Sequence, residues 1–138
     1  MGAGSGDNTG GFHRRFTKQE ARPEQQKFRA DLLRLYGKCL VTNCRVEAVL
    51  QAAHIIPFSD SVRYRNDTSN GLILRADIHA LFDNFLIAIH PMRNVVFVAP
   101  VLAGTTYEKL AGQVVKHQAA VDFVRYHYTF FRAAIEQG

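Results

Sequence analysis

His79 and Asp83 stand four residues apart in Asp77-Ile78-His79-Ala80-Leu81-Phe82-Asp83. On a helix that spacing puts both on one face, where an imidazole and a carboxylate can hold one metal ion between them. The same pair can also make a plain surface hydrogen bond. His54 lies upstream in Ala52-Ala53-His54-Ile55. A neutral imidazole titrates near working pH, which suits proton abstraction; a core or loop histidine is the alternative reading. Asn70-Gly71 falls sixteen residues after His54 and reads as a turn. The order is therefore His54, Asn70, His79, with Asp83 one helical turn further on.

The elements that must position these groups follow from periodicity. A helix is expected from Pro23, with Phe28, Leu32, Leu35 and Tyr36 on its apolar face and Gly37 as its stop. Val46–Ala52 reads as a strand that delivers Ala53 and His54. Residues 57–70 form a polar loop, and Leu72–Leu74 a short strand. Asp77 is expected to cap a helix over roughly 78–84, with Ile78, Leu81, Phe82 and Phe85 as its apolar stripe. Leu86–Ile89 and Val95–Val98 alternate around Pro91-Met92-Arg93-Asn94, a hairpin pattern. A final helix spans about 118–136.

Composition bounds the answer. The 138 residues suit one domain of about 100–200 residues. Hydrophobic residues make up 47% and charged residues 21%, which excludes collagen-like, coiled-coil and wholly disordered chains. No apolar run is long enough to span a membrane, and no secretory signal is visible, so a cytoplasmic location is expected. Lys and Arg number 17 against 12 Asp and Glu, a net charge of +5, which favours nucleic acid as partner. Residues 1–21 read as a flexible tail, Gly-rich then basic, and 22–138 as the folded domain. Arg14, Arg15, Lys18, Arg22, Lys27 and Arg29 make 12–29 either a solvated face or a phosphate-contacting arm. Cys39 and Cys44 lack the second pair that a tetrahedral zinc needs, so they read as reduced core thiols.

Three segments together, Ala52–Ile55, Asn70-Gly71-Leu72 and Asp77–Asp83, resemble the HNH endonucleases, the ββα-metal or His-Me finger fold. Their form is similar to that of HNH proteins in restriction and phage-defence nucleases, and the likeness covers about residues 22–99. It implies an α+β fold: a ββα-metal core with an N-terminal helix, an additional β-hairpin and a C-terminal helix. It implies metal-dependent hydrolysis of phosphodiester bonds in double-stranded DNA, with a role in restriction or defence. By that likeness His54 is the general base, Asn70 orients the loop bearing it, and His79 and Asp83 hold one divalent ion. Mg²⁺ and Mn²⁺ are the first expectations, and imidazole also suits Ni²⁺ and Zn²⁺.

Many HNH enzymes carry a further ligand just before the base, where this chain has Ala53; Gln51 or Asp60 are candidates to compensate. Ala53 also supports a rival reading, a non-catalytic nucleic-acid-binding or interaction module with a degenerate site. Arg63, Arg65 and Arg75 flank the motif and are candidate phosphate contacts or solvated loop charges. The last helix has two apolar stripes, Val121, Val124, Tyr128, Phe131 and Ile135, and Phe123, Phe130 and Ala134. They read as a helix packed on two sides or as a homodimer interface.

Overall fold

The computed structural model describes residues 23–57 and 66–138. Its elements in chain order are α1 (23–36), β1 (Leu50–His54), β2 (Gly71–Arg75), α2 (Ala76–Asp83), β3 (Ile87–Ile89), β4 (Val96–Val98) and α3 (Val121–Gln137). The architecture is α+β. β1 and β2 form an antiparallel hairpin, and β2 runs straight into α2, which gives the ββα unit. β3 and β4 form a second antiparallel pair, extended by a bridge between Val95 and Val114.

The hairpin register sets the site. His54 pairs with Gly71 at one end and Leu50 with Arg75 at the other. Leu72, Ile73 and Leu74 are all buried, so β2 is covered on both faces, as its unbroken apolar run requires. Ile78 and Phe82 of α2 join the same core, with Phe28 and Leu32 of α1. Each such fully buried side chain contributes about 1.5–3 kcal/mol, so this core fixes the hairpin and both helices together. A smaller cluster of Ala88, Ala99 and Phe131 seats α3 on the β3–β4 hairpin, with Phe97 and Tyr128 in edge-to-face contact.

Several boundaries differ from the sequence expectation. Residues 46–49 are not strand: Glu47–Val49 make a single 3-10 turn, with Val46 and Val49 exposed. An apolar run alone does not make a strand; pairing starts only at Leu50, opposite Arg75, the last residue of β2. Leu35 is exposed although it was placed on the apolar face of α1: Phe28 and Leu32 are buried, and Leu33 and Tyr36 pack against the same core. α2 begins at Ala76, so Asp77 lies inside its first turn and is not the cap. α2 ends at Asp83, and Phe85 stands beyond it rather than on its stripe.

α3 starts at Val121, because Ala120 is extended and the chain before it is tied elsewhere: the Gln118 amide donates to the Tyr36 hydroxyl and the Ala120 amide to the Ser69 carbonyl, each at 2.9 Å. Cys39 is buried and Cys44 half-buried, both free thiols across a turn closed by the Cys39 amide on the Cys44 carbonyl. Arg29 does not reach outward as an arm. Its guanidinium donates to the carbonyls of Leu50 and Glu47 and ties α1 to the start of β1. No helix of the described residues is long and apolar enough to cross a membrane.

Candidate active site

The end of β1 and the face of α2 meet at a pocket of about 370 Å³ lined by Ala52, His54, Ile55, Pro57, His79, Asp83, Phe85 and His127. The structure thus brings His54, His79 and Asp83 to one cavity. β1 alternates, so Ala52 and His54 share a face while Ala53 points the other way and is fully buried. The residue beside the histidine that faces the pocket is Ala52, and a longer side chain at 53 would enter the core instead.

His54 is held by neighbours that the motif itself does not contain. The Phe28 ring of α1 stacks on its imidazole, with centroids 4.3 Å apart and planes 9° from parallel. Gly71, directly across the hairpin, makes room for that ring. A Cβ there would lie 2.5 Å from Phe28 Cζ and 2.7 Å from Leu32 Cδ1. Gly71 is extended, at φ −142°, so space and not conformation selects glycine.

Asn70 is buried and grips the chain just past His54. Its Oδ1 accepts from the Ile56 amide at 2.7 Å, and its Nδ2 donates to the Ile56 carbonyl at 3.1 Å. The Ile55 amide donates to the Asn70 carbonyl as well. A carboxamide has both the donor and the acceptor that an amide unit of backbone needs, which a carboxylate lacks.

His79 Nδ1 lies 2.7 Å from Gln51 Oε1, and its Nε2 lies 3.0 Å from Asp83 Oδ2. An amide oxygen only accepts, so Nδ1 carries the hydrogen. Nε2 then presents a lone pair toward a carboxylate, and two acceptors at that distance require a cation, a proton or a metal, between them. Two ligands of one ion at about 2.1 Å each also sit about 3 Å apart when they are adjacent. A metal-bound histidine usually donates its other N–H to a carbonyl or carboxylate, and Gln51 supplies that acceptor here. The donor set therefore fits a divalent cation, with Gln51 orienting His79 rather than ligating. Among the described residues no third His, Cys, Asp or Glu joins the pair.

The other expected residues fall elsewhere. Arg75 does not line this pocket. Its Nε and Nη2 bind both oxygens of Asp77, at 2.7 and 2.9 Å, and it borders a separate cleft with Thr42, Tyr107 and Lys109. The Tyr107 hydroxyl donates to the same carboxylate at 2.9 Å. The Arg75 guanidinium, chiefly, with the tyrosine hydroxyl holds the Asp77 carboxyl down at about 2. Arg63, Arg65, Asp60 and the 1–21 tail lie outside the described residues.

Two further residues line the pocket: one that the sequence reading did not name, and one that it placed only on a helix stripe. His127 of α3 is buried and stacks on Phe82 at 3.6 Å and 3°. Its Nε2 donates to the Phe82 carbonyl at 2.8 Å, and its Nδ1 has no partner among the described residues. Burial pushes this imidazole down to about 4, so it is neutral at physiological pH. Its position between Val124 and Phe131 at helical spacing was the available signal.

The second is Phe85. α2 closes with the Leu86 amide on the Leu81 carbonyl and the Phe85 amide on the Phe82 carbonyl. That is the Schellman arrangement, whose left-handed residue is usually glycine. Here it is Phe85, at φ +58°, a conformation that costs an L-residue roughly 1–2 kcal/mol.

No curated protein matches this chain. Residues 39–90 match a family described as HNH endonuclease, a segment that contains β1, β2, α2, His54, Asn70, His79 and Asp83. The ββα geometry and that match agree: residues 39–90 are similar to the HNH endonuclease family in both pattern and frame.

Proposed function

We propose that this protein is a metal-dependent endonuclease that hydrolyses phosphodiester bonds in DNA. The observation that carries the reading is the convergence of His79 Nε2 and Asp83 Oδ2 at 3.0 Å in the pocket that also holds His54. In this reading His54 takes a proton from the attacking water, so that the new oxygen–phosphorus bond forms as the bond to the leaving 3′-oxygen breaks. Phe28 and Asn70 keep that imidazole in place, one through the ring face and the other through the backbone at Ile56. His79 and Asp83 hold one divalent ion, Mg²⁺ or Mn²⁺ first, with Ni²⁺ or Zn²⁺ as alternatives. When bound, the ion supplies charge neutralisation for the phosphorane and the leaving oxygen.

Double-stranded DNA as substrate, with a restriction or phage-defence role, rests on the motif's likeness and on the positive net charge. The test is plasmid nicking. Cleavage should require Mn²⁺ or Mg²⁺, stop with EDTA, and fall with His79→Ala. Metal-independent nicking, or none with any divalent ion, would end this reading. The second reading, a nucleic-acid-binding module without catalysis, draws on Ala53 in place of a further ligand, and it predicts DNA retention without nicking. In a homodimer through α3 the large apolar side chains well exposed for contact would be only Val121 of the first stripe and Phe130 of the second, since Val124 and Phe131 are buried within the chain.

A further inference from the structure

The pocket does not end at His54 and Asp83. Phe85 lines it and carries an aromatic surface outward along α3. The Phe85 and Phe130 rings stack with centroids 5.8 Å apart and planes 29° from parallel, and Tyr126 lies against Phe130 at 5.0 Å. Phe130 is 46% exposed and Tyr126 36%, so both residues of this surface reach solvent. Phe85 is also the residue that stands at the glycine position of the α2 terminus. A bulky ring kept in that conformation needs a reason beyond ending a helix, and strained residues of this kind cluster at ligand sites.

We propose that Phe85, Phe130 and Tyr126 form a stacking platform for an unpaired nucleobase beside the scissile phosphate, so that DNA carrying a locally unpaired stretch binds in preference to DNA paired throughout. This inference rests on the phosphodiesterase reading of the adjoining pocket. Continuity argues for this occupant. A strand whose phosphate sits between His54 and Asp83 must place a neighbouring base near the pocket wall, and Phe85 is part of that wall. Every base has a π-face, so such a platform grips without reading sequence.

A second copy of the chain is a poorer fit. The exposed large apolar residues of α3 are Val121, Tyr126 and Phe130, interrupted by exposed Asp122, Arg125, Thr129 and Arg132. Three scattered side chains fall well short of the roughly 1,200 Å² that stable interfaces bury. Phe85 lies within residues 39–90 while Tyr126 and Phe130 lie beyond them, so α3 adds two of the three rings to the matched segment.

The experiment measures binding of the full chain without added divalent metal. The probe is a single-stranded thymidine oligonucleotide carrying one 2-aminopurine, whose fluorescence is quenched on stacking. Phe130→Leu keeps an apolar side chain but removes the ring. It should weaken binding roughly tenfold and lose the quenching, while Phe130→Trp restores both. The corresponding paired duplex should lose less than about twofold. Equal losses on strand and duplex, no quenching with the wild-type chain, or wild-type affinity in Phe130→Leu each overturn the platform.

Light scattering adds one further overturning result: a mass twice 15.5 kDa that falls to 15.5 kDa in Phe130→Leu, which makes the face a self-interface. The two proposals fail separately. Metal-dependent nicking with an unchanged Phe130→Leu removes the platform alone. Stacking without nicking removes the nuclease reading and leaves a strand-binding surface.

Discussion

Asp77 and Asp83 sit on the same short helix, at opposite ends, and are used in opposite ways. Asp77 is saturated: Arg75 binds both oxygens, Tyr107 adds a hydroxyl, and the Ile78 amide donates to Oδ1 at 3.0 Å. Asp83 faces the His79 imidazole across the pocket and is half exposed. A carboxylate with its lone pairs occupied can fasten a helix to a strand but has little left for a ligand. One opposed by a single imidazole nitrogen keeps the capacity to take a cation. The difference separates a fastened end of the ββα unit from a working end.

The largest expected effect lies at the working end. His54→Ala should lower cleavage by ~10²–10⁴ while thermal unfolding shifts little. Tyr107→Phe, at the fastened end, should leave the rate within about twofold. Plasmid-nicking rates on both variants check this; equal losses would erase the distinction between the ends.

Acid should separate the ends next. His127 carries a proton more readily unfolded, near 6.5, than folded, near about 4. The unfolded chain therefore binds the proton first as pH falls. This contribution to stability is intact above about pH 6.5 and is lost progressively toward pH 4, with a full loss of about 3 kcal/mol. Asp77, held at about 2 against 3.8, keeps its contribution until pH falls below about 4. Urea unfolding in EDTA from pH 7 to 4 measures the slope, and His127→Phe should flatten it.

The sharpest comparison swaps the two carboxylates. Asp83→Asn should weaken Mn²⁺ binding by at least about tenfold, and Asp77→Asn should not change it; titration calorimetry decides. Stability should respond in reverse and by less. Asp77→Asn should cost about 1 kcal/mol, discounted for its partial exposure, and Asp83→Asn close to none. If Asp77→Asn is the variant that loses the metal, the assignment of the ends is reversed.

The contrast also marks how far the sequence could be read. The order His54, Asn70, His79 and the spacing to Asp83 were legible because each is a local pattern, and the strand–strand–helix frame followed from local periodicity. What was hidden is long-range. Nothing in the spacing says that Phe28 lies against His54, or that Gly71 is glycine to make room for Phe28 and Leu32. The salt bridge that occupies Arg75 uses a residue only two positions away, yet it is consolidated by Tyr107, thirty residues on. His127 was passed over because a histidine on an apolar stripe looks like packing until the pocket it borders is closed by another element. Arg63 and Arg65, named from sequence as phosphate contacts, lie outside the described residues.

Phe85 carries a consequence for anyone who sets out to make this protein more durable. By backbone preference alone, position 85 calls for glycine, and a stability screen or an idealised redesign would be drawn to Phe85→Gly. That change would relax the chain at the end of α2 and, in the same step, strip a wall from the pocket and the inner member of the aromatic surface. Durability and use compete at this one position, and a variant selected only for heat resistance would be expected to surrender it first.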